Sequence, residues 1–467
     1  MSPDGKVVTP STLSPWSAGR RMVVTGFAAL WMQGVSTAQA ARLVDAGRFG
    51  AIGDGRTPAT RAIQRAIDVA ALSGGRVKLP PGTYLTGALF VKSGVTLEIG
   101  RGVTLLGSRD LADYPILPTR VAGIETRWPA ALVNIYNQHD AHVVGEGMID
   151  GDGEIWWEAY WALRKRYDSR GLRWAADYDC KRPRLIQIYK GSRASIGGGL
   201  QLHRSGFWTV HLCYSSDVLV QDLTIRNNIG GRGPSTDGVD IDSSTRVVVE
   251  RCDISCNDDA LCLKAGRDAD GLRVNRPSTD VTIRDCTIRD AAAGVTFGSE
   301  TSGGIHNVRV ERLRVLAPTP SGILFKSART RGGVIREISI DGIAMDGVKT
   351  ALRIDLNWNP SYSYARIPPE IKHPPALWRV LAEQVPLARG IPRLENVMIR
   401  HLRSVNTKQA FDVAAYPQAP VKHFQFDDIA IDAPNGGVIA DARDWVFTDT
   451  SLQAKPLLRD TQGVVGL

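Results

Sequence analysis

The sequence has few cysteines and no long apolar run. Six cysteines occur in 467 residues, and none shows the paired C-x-x-C spacing of a zinc site. No stretch approaches the ~20 consecutive apolar residues that a membrane-spanning helix needs. With 43% apolar and 22% charged residues, the chain also lacks the composition of a disordered protein. We therefore expect a folded protein with no membrane span and no metal.

A short apolar segment near the N-terminus has the order of a secretory signal. Arg20 and Arg21 precede the mostly apolar residues 22–35, and the small-x-small triplet 38–40 follows them. The alternative interpretation is a buried N-terminal helix. We predict that residues 1–40 are a signal peptide, that residues 41–467 form one domain, and that the protein is exported to the periplasm or the extracellular space.

One pattern, apolar-x-apolar-x-x-apolar-x-apolar, recurs through the C-terminal half. Copies begin at positions 218, 247, 281, 308 and 338, giving periods of 29, 34, 27 and 30 residues. Such a pattern is typical of two short strands that meet at a bend and point their side chains into one core. A third apolar strand closes each unit, for example at residues 260–263 and 322–325. The 47 glycines and 25 prolines suit the turns between these strands.

Three short strands per coil, without a helical period between them, predict an all-β fold. We expect a single-stranded right-handed parallel β-helix, since a β-sandwich would require hairpin turns that the sequence hardly shows. A predicted helix over residues 59–72 caps its N-terminal end. Residues 153–180 break the repeat and predict a helical excursion, and residues 266–279 predict a loop.

The cysteines occupy two kinds of position. Cys252 and Cys286 fall on equivalent apolar positions of the repeat, which predicts buried thiols. Cys256 and Cys262 could pair in an exported protein, and the sequence leaves both states open.

Carboxylates are densest on two successive coils, in S-T-D-G-V-D and N-D-D-A. Asp237 and Asp258 are 21 residues apart, close to one coil, so a solenoid would stack them, with Asp259 alongside. Stacked acids repel one another and raise each other's pKa unless they share protons, bind a cation or do chemistry. Inverting glycoside hydrolysis uses such a set, with one acid that protonates the leaving oxygen and a base that activates water. The alternative is a group of turn aspartates that solvate a loop.

These two motifs resemble those of glycoside hydrolase family 28, the polygalacturonases and rhamnogalacturonases. Residues 49–55, 79–84 and 298–300 and Lys326 support the resemblance. It implies that Asp258 is the general acid, that Asp237 and Asp259 position and activate water, and that hydrolysis proceeds with inversion and without a cofactor. It also implies an acidic pectic polysaccharide or oligosaccharide as the partner, which gives a purpose to the net charge of +9.

Two groups of the family pattern are missing. The G-H-G histidine has no counterpart in residues 290–295, and Leu324 stands where the R-I-K motif has arginine. Lys326 remains, but a lysine lacks the bidentate grip of arginine on a carboxylate. The candidate replacements occur in predicted loops at the same edge, where each could equally be a solvated surface residue: Arg267, Arg329 and Arg331.

Two further residues are candidates for lining the groove. His211 precedes the first clear coil, where a core role is equally open, and Trp358 lies in a polar-aromatic segment suited to sugar stacking. We predict both as substrate-binding residues.

Several functions compete with polygalacturonan hydrolysis. They are rhamnogalacturonan hydrolysis, Ca²⁺-dependent β-elimination of the pectate lyase type, and carbohydrate binding without catalysis. No nucleic-acid-binding module is present, and glycine pairs such as Gly231 and Gly233 lack the following helix of a nucleotide site. We expect a monomer.

Overall fold

The computed structural model describes residues 42–454 and 464–466, and within them parallel strands wind around one core. The predicted signal peptide lies outside these ranges. We call the smaller of the two sheets the short sheet; its eleven described strands are Leu89–Phe90, Val133–Tyr136, Ile186–Tyr189, Val210–Cys213, Val239–Asp242, Asp259–Lys264, Ala293–Phe297, Ser321–Lys326, Thr350–Asp355, Gln409–Ala414 and Asn435–Ile439.

The second sheet, the long sheet, closes the other sides of each coil. Its described strands are Arg42–Asp45, Gly75–Lys78, Gly82–Thr86, Val95–Glu98, Val103–Gly107, His142–Val144, Met148–Asp150, Ser192–Gly197, Gln201–His203, Ser216–Gln221, Thr224–Arg226, Thr245–Glu250, Asp253–Ser255, Ser278–Arg284, Thr287–Asp290, Ile305–Leu316, Val334–Asp346, Arg393–Val405, Val421–Asp432, Ala442–Arg443, Trp445–Gln453 and Val464–Val465. A separate antiparallel hairpin joins Ile116–Val121 to Ile124–Pro129.

The repeated apolar positions form the core of the solenoid. Val218, Val220, Leu223 and Ile225 are all buried, and Val218, Val220 and Ile225 pair in register with Val247, Val249 and Ile254 one coil later. Equivalent strands of successive coils pair in parallel, because each turn of the chain advances by one coil. The predicted right-handed parallel β-helix is confirmed.

The helices stand at the end of the solenoid or in excursions from it. The predicted capping helix is present as α1 (Thr60–Ala71), and its buried face is formed by Ile63, Ala66, Ile67 and Ala70. The excursion after residue 153 is helical, as predicted. The helices are α1 (Thr60–Ala71), α2 (Glu154–Asp168), α3 (Ala176–Asp179), α4 (Asp268–Val274), α5 (Pro360–Ser363), α6 (Ala376–Leu381) and α7 (Leu387–Gly390), with 3₁₀ turns at Ala46–Phe49, Leu111–Asp113 and Arg173–Ala175. None of the helices in the described ranges is long and apolar enough to cross a membrane.

The predicted loop at residues 266–279 is only partly a loop, because it contains α4. Asp268 and Asp270 lie in the first turn of this helix, where carboxylates favour the helix dipole. Asn275 ends it in the left-handed region, with φ of 48°. The loop prediction depended on the long period between residues 247 and 281, and a short helix fills that insertion equally well.

Four excursions pack against one another beside the short sheet and form a second aromatic core. They are the antiparallel hairpin, the α2–α3 segment, the turn before Val210, and the segment that contains α5 and α6. Trp174 and Trp378 meet edge to face with ring centroids 5.0 Å apart, and the indole of Trp378 donates to Asp179 at 2.9 Å. Its residues Phe207 and Trp208 shortly precede the strand Val210–Cys213, which connects this core to the short sheet.

All six cysteines are buried free thiols. The prediction for Cys252 and Cys286 is confirmed, and no disulfide joins Cys256 to Cys262.

Aromatic stacking in the last coils allows the packing of the core to be tested by mutation. The Phe426 ring stacks on Phe447 at 4.1 Å and is 2% exposed. We expect Phe426→Ala to lower the free energy of unfolding by about 3–5 kcal/mol, because it leaves a cavity in a close-packed core. Urea unfolding followed by circular dichroism measures this. Leu72→Ala is the control, since Leu72 is 83% exposed and its loss should cost about 0.5 kcal/mol or less. Equal losses in both variants would contradict the packing described.

Candidate active site

Three aspartates meet at the start of two adjacent strands of the short sheet. Asp237 precedes the strand Val239–Asp242, and Asp258 and Asp259 stand at the start of Asp259–Lys264, which pairs with it in parallel. The closest oxygens of the three carboxylates all lie within 4.8 Å of one another. The structure thus brings together the residues that the 21-residue spacing was expected to stack.

A cavity of about 140 Å³ opens over these carboxylates. The short sheet forms its floor, and the excursions form its walls. Its lining residues are Ala122, Arg173, Asp177, Phe207, Trp208, Ser235, Asp237, Asp258, Asp259, Lys264, Ser299, Glu300, Lys326, Trp358, Asn359 and Tyr362.

Asp258 has the environment of a proton donor. Burial and the neighbouring charges of Asp237 and Asp259 raise the pKa of Asp258 to about 8. A carboxyl group with this pKa is largely protonated at neutral pH, so it can give a proton to a leaving oxygen.

Two lysines hold the other carboxylates. The Lys326 ammonium donates to Asp259 at 2.7 Å, and Lys264 Nζ lies 3.3 Å from Asp237 and 3.3 Å from Asp240. Burial and the charge of Asp240 raise the pKa of Asp237, against the opposing effect of Lys264. Burial likewise raises the pKa of Asp240, to about 7. The lysines therefore supply the charge that keeps a buried acidic cluster partly ionised.

Neither Lys264 nor Asp240 was predicted as a site residue. The sequence did contain a signal for Lys264, because Lys264 lies in the same strand as Asp259. The alternation of that strand places the side chains of Cys262 and Lys264 on one face. Strand pairing then aligns Cys262 with Asp240 and Lys264 with Asp242.

Glu300 completes the charged floor. Although burial alone would raise its pKa, the charges of Lys264 and Arg331 hold the pKa of Glu300 at about 2. Its carboxylate accepts a hydrogen bond from the Tyr362 hydroxyl at 3.0 Å. Glu300 is thus a fixed anion that orients Tyr362 at the cavity wall.

The predicted substrate-binding residues fall into two groups. Lys326 and Trp358 line the cavity, with the Lys326 ammonium 4.7 Å from the centre of the Trp358 ring. His211 is fully buried beneath the site, 3.0 Å from Gln187 and 3.4 Å from Asp242. Burial and the charge of Arg184 lower the pKa of His211 to about 3, so its ring is neutral.

The three predicted arginines also lie apart from the cavity surface. Arg267 is buried and donates to the Tyr362 carbonyl at 2.8 Å. Arg331 is buried and pairs with Asp268. Arg329 is exposed, and its guanidinium lies 5.0 Å from the centre of the Tyr364 ring. The structure does not bring these three side chains to the lining, and a substrate contact for them stays a prediction.

The α2–α3 excursion contributes a cation that the sequence did not single out. Arg173 lines the cavity, and its Nη1 donates to Asp177 at 2.7 Å. Asp177 in turn accepts from the Ser235 hydroxyl at 3.0 Å, which ties the excursion to the S-T-D motif. No spacing rule links Arg173 to the carboxylates, because it lies outside the repeat.

Asp237, Asp258 and Asp259 are close enough to share a cation. The two lysine ammonium groups, however, already lie on Asp237 and Asp259. Their positive charge opposes a Ca²⁺ ion at the same oxygens, so this donor set fits a divalent cation poorly.

The family model described as "Glycosyl hydrolases family 28" matches residues 76–368. The chain belongs to glycosyl hydrolases family 28. The resemblance inferred from the S-T-D and N-D-D motifs is confirmed. The matched region of this family 28 chain includes the three aspartates, both lysines and Arg173.

Two curated relatives place the chain among proteins with pectic substrates in their names. It is 33% identical over 332 residues to a probable polygalacturonase of Vitis vinifera, covering 69% of this chain and 64% of that protein. It is 27% identical over 372 residues to an exo-poly-alpha-D-galacturonosidase of Dickeya chrysanthemi, covering 71% of this chain and 61% of that protein. The chain therefore spans a little under two thirds of the length of these two relatives.

Solved structures of family 28 share the fold. An exopolygalacturonase from Thermotoga maritima superposes with a TM-score of 0.73 at 24% identity, covering 88% of this chain and 93% of that one. A family 28 exopolygalacturonase from Yersinia enterocolitica gives a TM-score of 0.70 at 21% identity, covering 91% and 78%. At these identities the likeness shows the β-helix fold alone.

The position of Lys264 predicts how its loss would act in this family 28 site. We expect Lys264→Met to destabilise the protein by about 3–5 kcal/mol at pH 8, because it leaves Asp237 and Asp240 buried without their cation. The loss should be smaller at pH 5, where carboxyl groups with raised pKa values take up protons and need no partner. Urea unfolding at the two pH values measures the difference.

Lys349→Met is the matched control, since Lys349 is exposed. It should change the free energy of unfolding by about 0.5 kcal/mol or less at either pH. A Lys264→Met loss that does not depend on pH would show that the ammonium does not compensate these carboxylates.

Proposed function

We propose that the protein hydrolyses α-glycosidic bonds of galacturonate-containing pectic polysaccharide or oligosaccharide. The observation that carries the proposal is a protonated Asp258 beside two carboxylates, Asp237 and Asp259, each held by a lysine. An acid and a base within reach of one sugar ring are what glycosidic hydrolysis requires.

The site supports a single displacement. The proton of Asp258 passes to the glycosidic oxygen as the bond from that oxygen to the anomeric carbon breaks. A water held by Asp237 and Asp259 forms the new bond to the anomeric carbon, and its proton passes to one of these two carboxylates. The ammonium groups of Lys326 and Lys264 stabilise the carboxylates before the reaction and the bound water during it.

Inversion follows from assigning Asp237 and Asp259 to the water, as the family resemblance implies. The carboxylate oxygens lie within 4.8 Å of one another, closer than the roughly 6.5–9.5 Å common in inverting enzymes and near the roughly 5–5.5 Å of retaining ones. Proton NMR of the first-formed product anomer decides between the two: a β-anomer from an α-linked substrate supports inversion, and an α-anomer refutes the assignment.

The small cavity favours action at a chain end. Its 140 Å³ is less than the roughly 300–1,000 Å³ of pockets that enclose drug-sized ligands. Residues Ala122, Phe207 and Trp208 of the second aromatic core form part of its wall. We therefore propose exo action, or action on oligosaccharides, with release of one sugar residue at a time.

The charge and the N-terminal sequence extend the proposal. Arg173, Lys264 and Lys326 line the cavity, which suits an anionic sugar. Residues 20–40 support export, and an acidic polysaccharide is met outside the cytoplasm. We also propose a monomer as the active form.

Product analysis tests reaction type and substrate together. We expect saturated galacturonate from polygalacturonate, with slow loss of viscosity relative to the release of reducing ends, and less product from rhamnogalacturonan. Chelator-sensitive release of unsaturated ends would instead establish β-elimination, and faster cleavage of rhamnogalacturonan would move the substrate within pectin.

The raised pKa of Asp258 predicts the alkaline limb of the pH profile. As pH rises through about 8, Asp258 loses the proton that the leaving oxygen needs, so kcat/KM should fall about tenfold for each pH unit above that value. Initial rates on a galacturonate oligosaccharide between pH 4 and 10 measure this limb.

Asp258→Asn is the companion variant. It should lower kcat by about 10²–10⁴-fold without unfolding the protein, as checked by circular dichroism. Asp217→Asn is the matched control, because Asp217 pairs with Arg246 on the long sheet. This variant should retain wild-type kcat. Retention of activity in Asp258→Asn would remove Asp258 from the mechanism and would favour a binding role for the site.

A further inference from the structure

The three cations that line the cavity differ in how far their donors are already used. Lys326 donates to Asp259 at 2.7 Å, and Lys264 is shared among Asp237, Asp240 and Glu300. Both ammonium groups are therefore committed to the carboxylates of the floor. Each ammonium group keeps N–H donors for a ligand, but it binds as a point charge and lacks the planar fork that grips a carboxylate at two points.

Arg173 is differently placed. Its guanidinium has five N–H donors in a planar fork, and Nη1 uses one of them on Asp177. Its Nε is buried without a hydrogen-bond partner among the residues that the structure describes. The Arg173 side chain is also 14% exposed, against 6% for Lys264 and 8% for Lys326. It is thus the most exposed of the three lining cations, and the one with a planar guanidinium fork.

The guanidinium is also held in place. Asp177 fixes one side of it, and Asp177 is itself satisfied by Ser235 at 3.0 Å and by Arg182 at 3.4 Å. The ring of Tyr362 lies 5.0 Å from the guanidinium carbon and limits its movement on another side. A fork held in this way loses little entropy when it binds a planar anion.

We propose that Arg173 binds the carboxylate of the galacturonate residue in the cavity, and so makes the site selective for an acidic sugar. This inference rests on the proposed function. A uronate differs from its neutral sugar by one carboxylate, and a bidentate guanidinium is the side chain best matched to that group. Arg173 belongs to the α2–α3 excursion, so the selectivity comes from an insertion and not from the coils that hold the aspartates.

The test compares two substrates that differ in this carboxylate: a galacturonate oligosaccharide and its methyl ester. Wild-type enzyme should prefer the acid. Arg173→Gln should lower kcat/KM on the acid by about 10- to 100-fold, because hydrogen bonds to a charged group are lost, and by less than about threefold on the ester. The acid-to-ester ratio should fall accordingly.

Two variants complete the test. Arg173→Lys keeps the charge without the fork and should retain part of the preference for the acid. Arg164→Gln is the matched control, since Arg164 pairs with Asp168 on the surface of α2 and should leave the ratio unchanged. Thermal unfolding of each variant shows whether the fold is retained, and Arg173→Lys answers the question if Arg173→Gln does not fold.

The outcomes separate the inference from the function on which it rests. A wild-type enzyme that cleaves galacturonate, with an acid-to-ester ratio unaltered in both Arg173 variants, overturns the role of Arg173 alone. An equal loss on the two substrates assigns Arg173 to the structure of the excursion and also overturns it. A wild-type enzyme inactive on both substrates refutes the proposed function, and the inference with it.

Discussion

Compensation of buried stacked carboxylates is the constraint on which this site depends. A parallel β-helix places equivalent residues of successive coils about 4.8 Å apart, so acids that recur at one position must lie side by side. Asp237 and Asp259 are 3% and 1% exposed, and water cannot screen them. The fold remains stable because Lys264 pairs with Asp237 and Lys326 with Asp259, and because Asp258 holds its proton.

The same compensation creates the chemistry. The lysines favour the ionised form of the carboxylates beside them, and burial together with the charges of Asp237 and Asp259 raises the pKa of Asp258. One residue type, aspartate, therefore supplies both a proton donor and proton acceptors within a few ångströms.

The coils could be predicted from the sequence, and the contacts between excursions could not. The apolar spacing of Val218, Val220, Leu223 and Ile225 predicts that these side chains are buried, because a core position requires only an apolar residue at the correct interval. The closeness of Asp237 to Asp258 was predicted from a separation of about one coil, although the register of Val239 with Leu261 aligns Asp237 with Asp259 instead. The surroundings of His211 and Arg267 could not be predicted, since tertiary packing determines their partners. Arg267 donates hydrogen bonds to Tyr178 and Tyr362, which are 89 and 95 residues away. An arginine in a loop sequence gives no sign of whether a distant carboxylate or carbonyl will bury it.

The absence of the R-I-K arginine separates two functions in this solenoid, catalysis and recognition of the sugar carboxylate. Leu324 is buried at that position, and its register neighbour Arg353 has a guanidinium that pairs with Asp355 and Asp412 and lies over the Trp358 ring. A cation supplied from an excursion avoids adding a third positive charge to a floor already balanced by two lysines. It also lies on a segment that can be lengthened or replaced without a shift in strand register. In the proposed arrangement, recognition of the acidic sugar through Arg173 can therefore change while the aspartates and their lysines stay fixed by the coils.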